Sequence, residues 1–234
     1  MQLTTGQKQP LNNLIDSEQE FEIQLNFQAP FTMDYACFGV NEQGKLQHDD
    51  YMTFFNQPKS PKSEVCYQNR SSYESFSFNL ANIQTDCPQR YVICGTIDHP
   101  TAVMSGIQRG VVNVVSRGQI VATYPLTAQN FMAEKAVMLI EVYQKGGVWR
   151  LGTIGQGFNG GLKALVEYFG GDVAEESTPS VAPPPKPAST SNIDLRKKIV
   201  LDKVANQAPQ LIDLTKKSLI SLEKRNLLAV KARV

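Results

Sequence analysis

Histidine is almost missing from this chain, with two residues in 234. Cys37, Cys66, Cys87 and Cys94 form no C-x-x-C pair. A zinc site needs several nitrogen or sulfur ligands at metal spacing, and this inventory does not supply them. Met1–Lys8 lacks a basic segment leading into an apolar run, so no secretory signal is expected. Without one, four cysteines do not make a disulfide framework. Cys37 and Cys94 lie inside apolar runs and read as small buried hydrophobes. No segment approaches about 18 consecutive apolar residues, which excludes a transmembrane helix. Together these absences point to a cytoplasmic protein.

Net charge is also small, at +1, but it is unevenly placed. Residues 1–185 hold 12 Lys and Arg against 18 Asp and Glu, whereas residues 186–234 hold 11 against 4. An acidic body therefore carries a basic tail. Such a tail suits an acidic partner, an anionic membrane surface or nucleic acid, and its plainest reading is a solvated helical face. Nucleic acid is the least favoured of these partners.

What is present is strand periodicity. Phe21, Ile23, Leu25 and Phe27 alternate with polar residues, the period of a half-buried strand. Asp34–Val40, Tyr51–Phe55 and Tyr73–Leu80 are further strand candidates, and the largely apolar Tyr91–Ile97 reads as a central one. Leu3–Leu11 reads as a short hairpin around Gly6, and Asn41–Lys45 as a turn. Arg117-Gly118 joins Val111–Val115 to Gln119–Tyr124, and Lys145-Gly146-Gly147 joins Ala136–Tyr143 to Val148–Ile154. Short strands with few helices between them predict a mainly β fold, a two-sheet antiparallel sandwich over residues 1–172. Residues 173–193 read as a Pro-, Ser-, Thr- and Ala-rich linker. Residues 194–234 read as a basic amphipathic tail of two short helices, with Leu195, Ile199, Leu211 and Leu214 among lysines.

Gly155, Gly157 and Gly160 spell G-x-G-x-x-G between the Val148–Ile154 strand and a predicted helix over Leu162–Phe169. In a strand–turn–helix setting this spacing is worth testing as a dinucleotide cradle. Three things oppose it. The preceding strand follows a tight hairpin and so runs antiparallel. No second parallel strand follows. The acids about 20 residues on, Glu175 and Glu176, fall beside the linker. The stretch reads instead as a glycine-rich corner where a helix packs on a sheet, and a nucleotide-binding enzyme or sensor at Gly155–Gly161 is the alternative. Asp98-His99 suggests general-base chemistry, but adjacent strand residues point to opposite faces, and no nucleophile is marked out.

The Gly155–Leu165 segment with Phe169-Gly170 resembles the C-terminal signature of the TerD-like tellurium-resistance and stress-protein family. Leu3–Gln7, Phe38-Gly39-Val40 with Gly44-Lys45-Leu46, Phe54–Ser60 and Met138–Trp149 resemble its other segments in order and spacing. The resemblance covers residues 1 to about 171. It implies a non-enzymatic β-sandwich that binds calcium through clustered acidic loops and serves tellurite resistance. Carried over residue by residue, the implied calcium ligands are Asp34, Asp49, Asp50 and Asn69. Thr32 stands where the family has a further acid, Tyr51 replaces another, and the 67–74 loop has lost most of its charge. The expectation is weak or degenerate calcium binding, since calcium takes six to eight oxygens. Partners implied are other tellurium-resistance proteins, or self-association through 194–234, with peripheral contact at the inner face of the membrane. Ser221–Lys224 and Lys231–Val234 resemble the segment that runs into a von Willebrand A-type domain in longer relatives.

Overall fold

The computed structural model describes residues 1–15 and 20–171. The predicted linker over 173–193 and the tail over 194–234 lie outside the described residues, as does the resemblance drawn on the tail.

The alternating Phe21, Ile23 and Leu25 bury one face of β2 (Glu20–Gln28). The same two-residue period runs through β5 (Val65–Asn69) and β6 (Glu74–Asn79), and through β8 (Arg109–Ser116) and β9 (Gln119–Leu126). These strands form one sheet in the order β5-β6-β2-β8-β9. The second sheet contains β1 (Lys8–Pro10), β3 (Met33–Val40), β4 (Met52–Phe54), β7 (Arg90–Ile97), β10 (Ala136–Lys145) and β11 (Val148–Phe158). Its order is β1-β11-β10-β7-β3-β4, and every strand pair in both sheets is antiparallel. The expected two-sheet sandwich is what forms.

The main core lies between the sheets and includes Ile23, Phe76, Ile93, Val112 and Leu139. A second core lies on the outer face of the six-stranded sheet, where Phe38, Val92, Cys94 and Met138 pack under Leu165 and Phe169 at the end of α1 (Gly161–Tyr168). This explains why β7 is apolar throughout rather than alternating. Tyr91 and Ile93 face one core, Val92 and Cys94 the other, so neither face meets water. Among the described residues no helix is long and apolar enough to cross a membrane.

Three local expectations change. Leu3–Leu11 is not a self-paired hairpin. The Leu3 amide donates to the Thr123 carbonyl at 2.8 Å in the five-stranded sheet, while Lys8, Gln9 and Pro10 pair with Gly152, Leu151 and Arg150 in the other. Gly6, at φ +79°, turns the chain from one sheet edge to the other. The Tyr51–Phe55 strand is shorter, because Asp49–Tyr51 forms a 3-10 turn and the strand starts at Met52. The His48 Nδ1 accepts the Asp50 amide at 3.3 Å and sets that turn. Tyr67–Asn69 belongs to β5 rather than to a loop. Val65 and Tyr67 bury alternate positions, and Lys59 bridges to Cys66 to cover the edge.

Candidate functional site

Register decides where the expected calcium ligands fall. Phe38 pairs with Met52, and Asp34 pairs with Thr96. Asp34 is therefore near the start of β3, whereas Asp49 and Asp50 lie beyond its far end, in the 3-10 turn before Met52. Asp34 and Phe38 alone are separated by roughly 13 Å of strand at about 3.3 Å per residue. Asn69 belongs to the other sheet, at the end of β5. The structure brings Asp49 and Asp50 together, and separates that pair from Asp34.

Asn69 lines a cavity of about 290 Å³ at one end of the sandwich, with Leu25, Phe27, Tyr35, Arg70 and Glu74. Thr32 and Met33 reach this cavity, while Asp34 points to the opposite side of β3, beside Thr96 and Leu162. Glu74 accepts a hydrogen bond from the Tyr67 hydroxyl, and Arg70 Nη2 donates to Gln68 Oε1 at 2.6 Å. Burial pushes the Tyr35 phenol well above its ordinary range, and the charges of Glu74 and Asp34 push it further. Among the described residues, no group of three or more His, Cys, Asp and Glu side chains gathers as a metal site. Among the described residues the cavity holds one carboxylate, Glu74, and one amide, Asn69, beside the hydroxyls of Thr32, Ser71 and Ser72, too little negative charge for the carboxylate-rich set that tight calcium binding demands.

The glycine signature is occupied by the protein itself. β11 continues through Phe158, so Gly155 and Gly157 are strand residues rather than a phosphate turn. A Cβ on Gly155, at φ +77°, would meet Thr5 Cγ2 at 2.8 Å, and one on Gly160 would meet Ala164 Cβ at 2.8 Å. The antiparallel partners of β11 are β1 and β10, which is not the parallel setting of a dinucleotide fold. A family model for the TerD domain matches residues 1–169.

The chain belongs to the TerD domain family. It is 32% identical over 152 residues to the tellurium resistance protein TerA of Alcaligenes sp., a match covering 62% of this chain and 42% of that relative. It therefore spans less than half the length of that protein. The tellurium resistance protein TerD of Serratia marcescens is 26% identical over 153 residues, covering 60% of this chain and 78% of the relative. A solved structure described as a homologue of telluride resistance protein (TerD) from Streptomyces coelicolor A3(2) superposes with a TM-score of 0.51 at 14% identity. It covers 64% of this chain and 96% of its own. At that identity the likeness concerns the fold alone.

His99, singled out with Asp98, is held in a turn of the TerD domain. Its Nδ1 accepts the amides of Thr101 at 3.3 Å and Ala102 at 3.0 Å. The Nδ1 thus caps backbone donors of its own turn. Two buried carboxylates were missed. Glu141 is 3% exposed and Glu64 is fully buried. Glu141 Oε2 accepts Arg90 Nε at 2.7 Å and also lies 2.7 Å from Arg90 Nη2 in an ion pair, and Lys8 Nζ lies 3.5 Å from Oε1. Glu64 accepts the Lys62 amide at 3.0 Å and the Tyr91 hydroxyl at 3.3 Å. A charged residue inside the apolar run Ala136–Val142 was the available signal for Glu141. Glu64, next to Lys62 and Ser63, offers no such contrast.

Proposed function

We propose that this TerD-domain chain works by binding rather than by catalysis, as a scaffold or interaction component of a tellurite-resistance and stress-response system in the cytoplasm. The observation that carries the reading is the TerD match across residues 1–169, with tellurium resistance proteins among the relatives. Four free thiols, three of them buried, suit a reducing compartment. The glycine signature is used for packing and His99 for a turn, which supports assigning both to architecture. Partners are other tellurium-resistance proteins or further copies, engaged through 194–234. Disrupting the gene in its host is expected to lower the tellurite concentration that permits growth, with recovery when the full chain is supplied. Unchanged tolerance would overturn the assignment.

The same reading makes calcium a weak ligand. Asp34 stands at one end of the Asp34–Phe38 segment and the Asp49–Asp50 pair precedes Met52 at the other, and among the described residues Glu74 is the one carboxylate lining the cavity with Asn69. Calorimetry is expected to give a dissociation constant of about 10⁻⁴ M or weaker, in the range of low-affinity oxygen sites. Submicromolar binding that disappears in the Asp34→Asn, Asp49→Asn double variant would contradict this.

A further inference from the structure

The inner faces of a sandwich are normally apolar, and at one end of this one they are not. Glu74 pairs with Leu25 on one side and with Asn69 on the other, in a row whose side chains point between the sheets. Tyr67 and Phe76, two residues along their strands, are core residues of the same face. Glu74 therefore directs its carboxylate into the cavity of about 290 Å³ rather than toward the outer surface of its sheet.

Across the gap, Tyr35 supplies a second inward polar group. It is 6% exposed, and its hydroxyl donates to the Met33 thioether at 3.8 Å. A thioether is a weak acceptor, and this contact leaves the lone pairs of the phenol oxygen unused. Burial, and then the charge of Glu74, raise the Tyr35 phenol, so it stays neutral. Glu74 itself accepts the Tyr67 hydroxyl, which fills one of about four lone-pair positions on a carboxylate.

The walls are aromatic. The Phe27 and Tyr35 rings lie 5.9 Å apart between centroids, and Phe31 and Tyr73 border the same space. Arg70 borders it too, but its Nη2 is bonded to Gln68 Oε1 at 2.6 Å, and Gln68 lies in an outward-facing row. The charge that the described residues direct into the cavity is thus negative.

A lone carboxylate among aromatic rings suits an organic cation better than calcium. An ammonium group gains from the carboxylate, from the phenol oxygen and from the ring faces together. Calcium needs further carboxylate and carbonyl oxygens, which rings do not supply. The volume is near the lower end for ligand pockets, so the ligand is small. We propose that the cavity between Glu74 and Tyr35 binds a small alkylammonium ion. Its N–H groups donate to the Glu74 carboxylate and the Tyr35 oxygen, and its alkyl part lies against Phe27 and Leu25. This site is independent of the tellurite role and the partners proposed above.

Butylammonium chloride is the probe, followed by amide NMR of the isotope-labelled full chain. Saturable shifts are expected at residues 33–35 and 69–74. Butanol and sodium butyrate, of similar size but without the positive charge, should act at least about tenfold more weakly. Glu74→Gln should weaken butylammonium about tenfold, and Tyr35→Phe about threefold, with the response to butanol unchanged. No response to butylammonium, or an equal response to butanol, would overturn the proposal. Calcium chloride saturating the same amides below about 0.1 mM would overturn it in favour of a metal site. The butanol comparison uses the unaltered chain, so it decides the matter even if Glu74→Gln does not fold.

Discussion

Replacing Gly155 by alanine is expected to destabilise the TerD domain by about 3 kcal/mol, which for a domain of this size lowers the melting temperature by roughly 6–12 °C. Two costs add. The backbone sits at φ +77°, where a side chain costs about 1 kcal/mol. The new Cβ would also stand 2.8 Å from Thr5 Cγ2 and 3.2 Å from the Tyr124 hydroxyl. Those two groups cannot simply move apart, because Thr5 Oγ1 and the Tyr124 hydroxyl are hydrogen-bonded at 2.8 Å. Gly147→Ala separates the two costs. Its φ is +75°, but nothing lies within 4 Å of its Cβ position, so it should lose about 1 kcal/mol only. Urea unfolding of both variants measures the difference. Equal losses would show that the close approach to Thr5 carries no weight.

The second large effect is at the buried carboxylate. Arg90→Met should cost about 2–3 kcal/mol, below the full penalty of a buried broken pair because the Arg90 side chain is 43% exposed. Removing it takes the Nε hydrogen bond and the 2.7 Å Nη2 contact from Glu141 Oε2 and leaves Lys8, 3.5 Å from Oε1, as a charged neighbour. The cost then comes from a desolvated charge rather than from lost attraction alone. The Arg90→Met, Glu141→Met double variant should therefore recover most of the stability, since apolar replacement of a buried pair is often near neutral. If the double variant is less stable than Arg90→Met alone, the carboxylate contributes in its own right, and this account of it fails.

Local pattern was enough to place most strands. The alternation from Phe21 and the solid apolar run of Tyr91–Ile97 each encode a burial state, and the structure returns the same states. Pairing partners are a different kind of information. Leu3 bonds to Thr123, and Gln7 to Thr153, so nothing near Gly6 in sequence reveals that its two arms belong to different sheets. The candidate site is hidden for the same reason. Asp34 and Asp49 belong to segments joined by one turn, yet the β3–β4 register carries them to different ends of the strand. The outward face of the five-stranded sheet was half legible, since Glu20, Glu22 and Gln24 fill the alternate positions of β2. Which neighbours stand beside them depends on β6 and β8.

The crossing of residues 1–10 between the sheet edges also sets a timetable for synthesis. Leu3 has no place until Thr123 has been made, and the amides of Gly6 and Gln7 have none until Thr153 follows. About 150 residues separate Leu3 from Thr153, so at about 5–20 residues per second roughly 7–30 s of synthesis lie between the segment and the last of its partners. Through that interval residues 1–10 wait without the partners that fix them, and β9, once made, lacks the segment that covers its open edge. Residues 1–10 are thus made well before they can be fixed, and the window in which a nascent sheet edge stands open to chaperones or to a neighbouring chain closes only with β11.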